Sequence, residues 1–139
     1  MQRLISHSPE QTEQIACELA GTLRAGDVVA LRGGLGAGKT AFVRGLAKGL
    51  GVTGEVASPT FALVHEHEGR IPLYHFDMYR VTTLDDLYST GFFDYLDSGA
   101  VLAVEWSENI QAALPNRRVI VTLTPVSDTE RELVIERKE

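Results

Sequence analysis

The chain has 139 residues, 44% of them hydrophobic and 23% charged, with one cysteine, Cys17, and a net charge of −6. At about 150 residues per domain this predicts one globular domain spanning residues 1–139. A lone cysteine excludes an intrachain disulfide and fits a reducing, cytoplasmic setting. No apolar run approaches the ~18 residues of a membrane span, and the first residues lack the basic-then-apolar layout of a signal peptide.

Ser8-Pro9-Glu10-Gln11 reads as a helix start, with Ser8 as N-cap, Pro9 in the first turn and Gln11 completing a capping box. Ile15, Leu19 and Leu23 recur every four residues as a buried stripe, and Gly26 closes that helix. Cys17 falls beside the stripe and reads as a small apolar residue. Residues 27–32 form a short apolar strand. A glycine-rich loop follows, then a helix from about Lys39 to Leu50 with Phe42, Val43, Leu46 and Ala47 as its core face and Gly51 after its end. Residues 61–66 and 71–77 read as strands of a hairpin around Gly69, and Thr83 caps a short helix ending near Ser89. Val101 to Val104 is a continuous apolar run, as in a strand buried on both faces. A short helix over 107–113 ends at Pro115, and residues 119–123 and 132–135 close the chain as a hairpin. The order α-β-α-β-β-α-β-α-β-β predicts a three-layer α/β/α fold with a mixed, mostly parallel central sheet and an antiparallel C-terminal hairpin.

The loop Gly33-Gly34-Leu35-Gly36-Ala37-Gly38-Lys39-Thr40 matches G-x-x-x-x-G-K-[ST] at every fixed position. It leaves an apolar strand and opens a helix, which is the context that motif requires. Glycines let successive backbone N–H groups turn inward as an anion nest, and the helix N-terminus adds about half a positive charge. Lys39 would reach the β- and γ-phosphates and the Thr40 hydroxyl would ligate Mg²⁺. Such a loop calls for a carboxylate at the end of a nearby strand. Two strings offer one: Val101-Leu102-Ala103-Val104-Glu105 and Leu73-Tyr74-His75-Phe76-Asp77. One acid would touch the metal and the other would orient the attacking water, so Lys39, Asp77 and Glu105 are the candidate catalytic residues.

With these strings the chain resembles the TsaE (YjeE) family, the bacterial ATPases of tRNA threonylcarbamoyladenosine biosynthesis. The resemblance rests on Leu35 to Thr40, Ser58-Pro59-Thr60-Phe61, Tyr74-His75-Phe76-Asp77-Met78-Tyr79-Arg80 and Glu105-Trp106, and it runs over nearly the whole chain. It implies ATP binding by Gly34, Leu35, Gly36, Ala37, Gly38, Lys39, Thr40 and Ala41, and Mg²⁺ binding by Thr40 and Glu105 with Asp77 essential to the site. It implies that Ser58, Pro59, Thr60 and Phe61 form a switch-like segment and that Trp106 lies beside the site. The implied partners are TsaB and TsaD, the latter transferring the threonylcarbamoyl group to adenosine 37 of tRNAs that read ANN codons. Two positions depart from the family pattern: Gly34 stands where Asp is usual, and His67 where Tyr is usual.

The acidic surplus bears on the role of RNA. Residues 1–70 carry seven basic and seven acidic residues, while residues 71–139 carry six and twelve, so the whole net charge lies in the second half. Seven acids and only Arg80 fall between Asp77 and Glu108, and the stretch reads as a solvated face. A protein of this charge repels a phosphate backbone, so tRNA would be held by the partners. Arg80 reads as an ion-pair partner of Asp77, with an arginine finger as the alternative. His65, His67 and His75 read as surface or core histidines rather than a zinc site, since no cysteine lies near. No Asn-Lys-x-Asp string is present, which favours adenine over guanine. Two other functions fit a phosphate loop: a small-molecule kinase, for which no arginine-rich lid is visible, and a nucleotide-gated binding module without turnover.

Overall fold

The computed structural model describes residues 1–34, 37–53 and 64–138. Leu35, Gly36 and the Ser58 to Phe61 segment lie outside the described residues. In chain order the elements are β1 (Gln2–Ser6), α1 (Pro9–Ala20), β2 (Val28–Arg32), α2 (Lys39–Gly49), β3 (Val64–His67), β4 (Leu73–Asp77), α3 (Leu84–Ser89), α4 (Phe92–Tyr95), β5 (Val101–Glu105), a 3₁₀ segment (Ser107–Ala113), β6 (Arg118–Pro125) and β7 (Arg131–Lys138).

All seven strands form one sheet, ordered β1-β7-β6-β2-β5-β4-β3. The central run β6-β2-β5-β4 is parallel throughout, and both flanks are antiparallel. β5, whose five residues are all buried, lies between β2 and β4. This is the buried parallel strand its unbroken apolar run predicts. One sheet face packs Val29, Leu31 and Ala103 against Phe42, Leu46 and Ala16 of the two long helices. The other packs Phe76, Leu102 and Val104 against Leu87, Phe92 and Ile110. The result is the three-layer α/β/α arrangement.

The local signals act where chemistry fixes them. Ser8 accepts a hydrogen bond from the Gln11 N–H at 3.1 Å, and Gln11 Oε1 accepts from the His7 N–H, one residue before the position a capping box uses. Thr83 accepts from the Asp86 N–H and caps α3 as expected. Gly51, at φ 79°, follows α2 in the left-handed region that favours glycine there.

Several boundaries differ from expectation. α1 ends at Ala20, well before Gly26: its last turn closes through Gly21 N–H to the Glu18 and Leu19 carbonyls, and Gly26 serves the turn into β2. Ile15 is only half-buried, while Thr12 and Ala16 join Leu19 on the core side. β1 was missed because Gln2-Arg3-Leu4-Ile5-Ser6 is polar and mostly exposed, and it becomes a strand by pairing with β7. α4 is a single four-residue helix, too short for a periodic signal. Residues 107–113 are a 3₁₀ segment with non-helical Ile110 inside. The described part of the first hairpin strand is Val64–His67, its partner starts at Leu73, and the last hairpin strands run eight residues each.

Candidate functional site

The parallel strands β2, β5 and β4 end side by side, and the site collects at those C-terminal ends, where open α/β sheets bind ligands. β2 leads into the loop, in which Gly33 and Gly38 adopt backbone conformations that favour glycine. Gly33 has φ 145°, and a Cβ there would lie 2.7 Å from the Leu123 carbonyl oxygen. Gly38 has φ 94° and precedes α2 with no side chain capping the helix, so the first-turn N–H groups are left for a ligand. Gly34 is exposed, Ala37 is buried, and Thr40 and Ala41 stand in the first turn of α2.

Lys39 opens α2 and is buried, with 6% of its surface exposed. Its Nζ lies 3.8 Å from Glu105 Oε1 and 4.3 Å from the Trp106 ring centroid, and among the described residues no hydrogen-bond partner is within reach. A buried ammonium without a hydrogen-bond partner is costly unless a ligand supplies one. Glu105 is the buried last residue of β5, and its Oε2 accepts from His75 Nε2 on β4. Asp77 ends β4 directly opposite Glu105 in the parallel ladder. Side chains alternate along a strand, so His75 and Asp77 face the same side of the sheet as Glu105, the side that α2 covers. Asp77 is half-buried, and one of its oxygens accepts from the Tyr79 N–H at 2.9 Å, while the other has no hydrogen-bond partner among the described residues.

Trp106 follows Glu105 with φ 57°, unusual for a side chain of its size. Its ring tilts against Tyr79 at 4.9 Å between centroids. Asn109 Nδ2 donates to the Met78 and Tyr79 carbonyls, and the buried Ser107 hydroxyl donates to the Leu31 carbonyl. These bonds tie the turns after β4 and β5 to β2. Sequence reasoning missed Ser107, Asn109 and the role of His75. The available signal for His75 was a polar residue at an inward strand position two before an acid.

Lys39, Glu105, Asp77 and Trp106 are thus brought together. Arg80 is not: it is exposed and, among the described residues, forms no ion pair with Asp77 or another carboxylate, while one Asp77 oxygen accepts from the Tyr79 N–H. His65 and His67 stand on β3, with ring centroids 6.2 Å apart, and His75 is 6.5 Å from His65. Among the described residues no three His, Cys, Asp or Glu side chains are grouped to hold a metal ion. His67 has its pKa lowered by burial and by the neighbouring imidazoles of His75 and His65. Of the acids between Asp77 and Glu108, Asp85, Asp86, Asp94, Asp97 and Glu108 are exposed, so most of the stretch is a solvated face.

The arrangement fits an anionic phosphate chain with a hard cation. Among the described residues Lys39 Nζ has one carboxylate at 3.8 Å and no hydrogen-bond acceptor, the glycine backbone at Gly33 and Gly38 admits close approach, and the donors Thr40, Asp77 and Glu105 are all oxygens.

A family model for "Threonylcarbamoyl adenosine biosynthesis protein TsaE" matches residues 6–133. The chain belongs to the TsaE family. It is 38% identical over 133 residues to the tRNA threonylcarbamoyladenosine biosynthesis protein TsaE of Treponema pallidum (strain Nichols), covering 96% of this chain and 98% of that relative. It is 42% identical over 127 residues to the TsaE of Bacillus subtilis (strain 168), covering 91% and 79%. The crystal structure of Bacillus subtilis YdiB aligns with a TM-score of 0.83 at 36% identity, over 99% of this chain and 86% of that one. As a TsaE family member the chain carries its glycine loop, strand-end acids and Trp106 within the matched span. Among the described residues no helix is long and apolar enough to cross a membrane.

Proposed function

We propose that this chain is a cytoplasmic ATPase domain, spanning residues 1–139, that serves formation of the threonylcarbamoyl group on adenosine 37 of tRNAs reading ANN codons. It acts with TsaB and TsaD, and it meets tRNA through them. The observation that carries this is the convergence of Lys39, Glu105 and Asp77 at the ends of adjacent parallel strands, beneath the uncapped N-terminus of α2.

The backbone of Gly34, Leu35, Gly36, Ala37 and Gly38 cradles the phosphates, and the N-terminal N–H groups of α2, near Thr40 and Ala41, add their partial positive charge. Lys39 leaves Glu105 and Trp106 for the β- and γ-phosphates, a stronger partner than one carboxylate at 3.8 Å. Thr40 and Glu105 would hold Mg²⁺, with Asp77 beside them; when bound, the ion neutralises phosphate oxygens. Asp77, anchored through one oxygen by the Tyr79 N–H, uses the other to orient the attacking water. Ser58, Pro59, Thr60 and Phe61 would sense the γ-phosphate as a switch. Arg80, exposed beyond Asp77, would contact a partner or the nucleotide.

Reconstitution tests this reading. Unmodified tRNA, TsaB, TsaD and the threonylcarbamoyl donor are incubated with and without this chain and ATP. Modified adenosine that accumulates over many turnovers only with the chain and ATP is expected. Modification at the same rate without the chain would refute it.

A further inference from the structure

We infer that His75 is the positioning residue for Glu105, fixing which carboxylate oxygen faces the phosphate loop. The inference rests on the proposed nucleotide site and concerns how this chain prepares it. Glu105 is buried at the end of β5, and the terminal torsion of a glutamate is broad and two-fold, so burial alone does not orient it. Lys39 Nζ, at 3.8 Å, is beyond hydrogen-bond distance. Among the described residues His75 Nε2 is the hydrogen-bond partner of that carboxylate.

His75 is suited to the task. It is completely buried on β4, one strand over and two residues before Asp77. A carboxylate only accepts, so Nε2 carries the proton and donates to Oε2. Nδ1 is buried without a partner among the described residues, and a bare acceptor there is better tolerated than an unpaired donor. With Oε2 held by His75, Oε1 is the oxygen turned to Lys39 at the start of α2. Groups that hold a metal-binding carboxylate from behind in this way tune its affinity, commonly by about 10–100-fold. A histidine that merely fills the core would need no polar atom aimed at the strand-end acid.

Trp106 is the only tryptophan and lies against Lys39, so its emission reports nucleotide binding. Mg²⁺ is titrated into the full chain at fixed ADP while Trp106 emission is followed. In His75→Phe the Mg²⁺ midpoint should rise about 10–100-fold, with Mg²⁺-free ADP affinity little changed. His75→Gln, whose amide N–H can take the place of Nε2, should return the midpoint close to the parent. Should His75→Phe fail to fold, His75→Asn gives the same contrast, because its shorter amide does not reach Oε2. A midpoint unchanged in His75→Phe or His75→Asn would overturn the inference, as would an equal rise in His75→Gln. A parent protein whose ADP binding ignores Mg²⁺ would overturn the nucleotide-site reading itself, and the inference with it.

Discussion

The Lys39 ammonium lies 4.3 Å from the centroid of the Trp106 ring, which is itself held by a backbone at φ 57°. The contact holds a buried cation on an aromatic face and beside one carboxylate, with no hydrogen bond among the described residues. Phosphate oxygens offer Lys39 the bonds it lacks. Titration with Mg·ATP should therefore change Trp106 emission as Lys39 departs. Lys39→Ala removes a charge-assisted contact worth about 1.5–3 kcal/mol, so nucleotide affinity should fall roughly 10–100-fold. Equal affinity of Lys39→Ala and the parent in equilibrium titration would contradict this.

Asp77 and Glu105 stand opposite one another but in different surroundings. Glu105 is buried and bonded to His75, while Asp77 is half-buried and has one oxygen without a partner among the described residues. Asp77→Asn should therefore bind Mg·ATP normally and release phosphate about 10²–10⁴-fold more slowly. Glu105→Gln should instead raise the Mg²⁺ requirement for binding. If both variants bind ATP and still support tRNA modification at the parental rate, the chain is a nucleotide-gated binding module without useful turnover. Binding titrations and modification assays on the two variants separate these outcomes.

The packing beneath the loop gives a stability test. A Cβ at Gly45 would lie 2.2 Å from the Glu13 carbonyl oxygen and 2.6 Å from Ala16 Cβ. Backbone cannot move aside as a side-chain tip can, so Gly45→Ala would separate α1 from α2. A loss of about 1–3 kcal/mol is expected, read as a lowered urea midpoint. An unchanged midpoint would show that the helices are less closely joined than the geometry requires.

What the sequence disclosed follows from where information is local. The strand and helix on either side of the glycine loop, the Ser8 and Thr83 caps and the β5 apolar run were legible because each depends on neighbours in the chain. Lys39, Asp77 and Glu105 could be named because motif and strand-end position coincide. β1 was illegible because its five residues carry no strand pattern until β7 lies alongside. The Arg80–Asp77 pair is absent among the described residues although the two lie three positions apart, since nearness in sequence does not fix where an exposed side chain points. His75 was visible as a residue but not as a partner of Glu105, since 30 positions separate them in the chain.

The histidines of the β3–β4 hairpin predict a pH dependence of folding. His67 has its pKa lowered by burial and by the neighbouring imidazoles of His75 and His65. Its folded value therefore lies below the unfolded value of about 6.5. The stability it contributes is fully present above that pH and is lost as pH falls through the folded value, because the unfolded chain binds the proton more readily. Thermal midpoints should decline as pH drops below about 6.5, and His67→Asn should flatten that decline. Parallel declines in parent and variant would assign the effect elsewhere.

The central claim is turnover at the site formed by Lys39, Asp77 and Glu105. Its most direct test is phosphate release from Mg·ATP by the purified chain, alone and with TsaB and TsaD. Slow release alone, a sharp rise with the partners, and loss in both settings for Lys39→Ala are expected. Release that ignores the partners, or none in either setting, would contradict the claim.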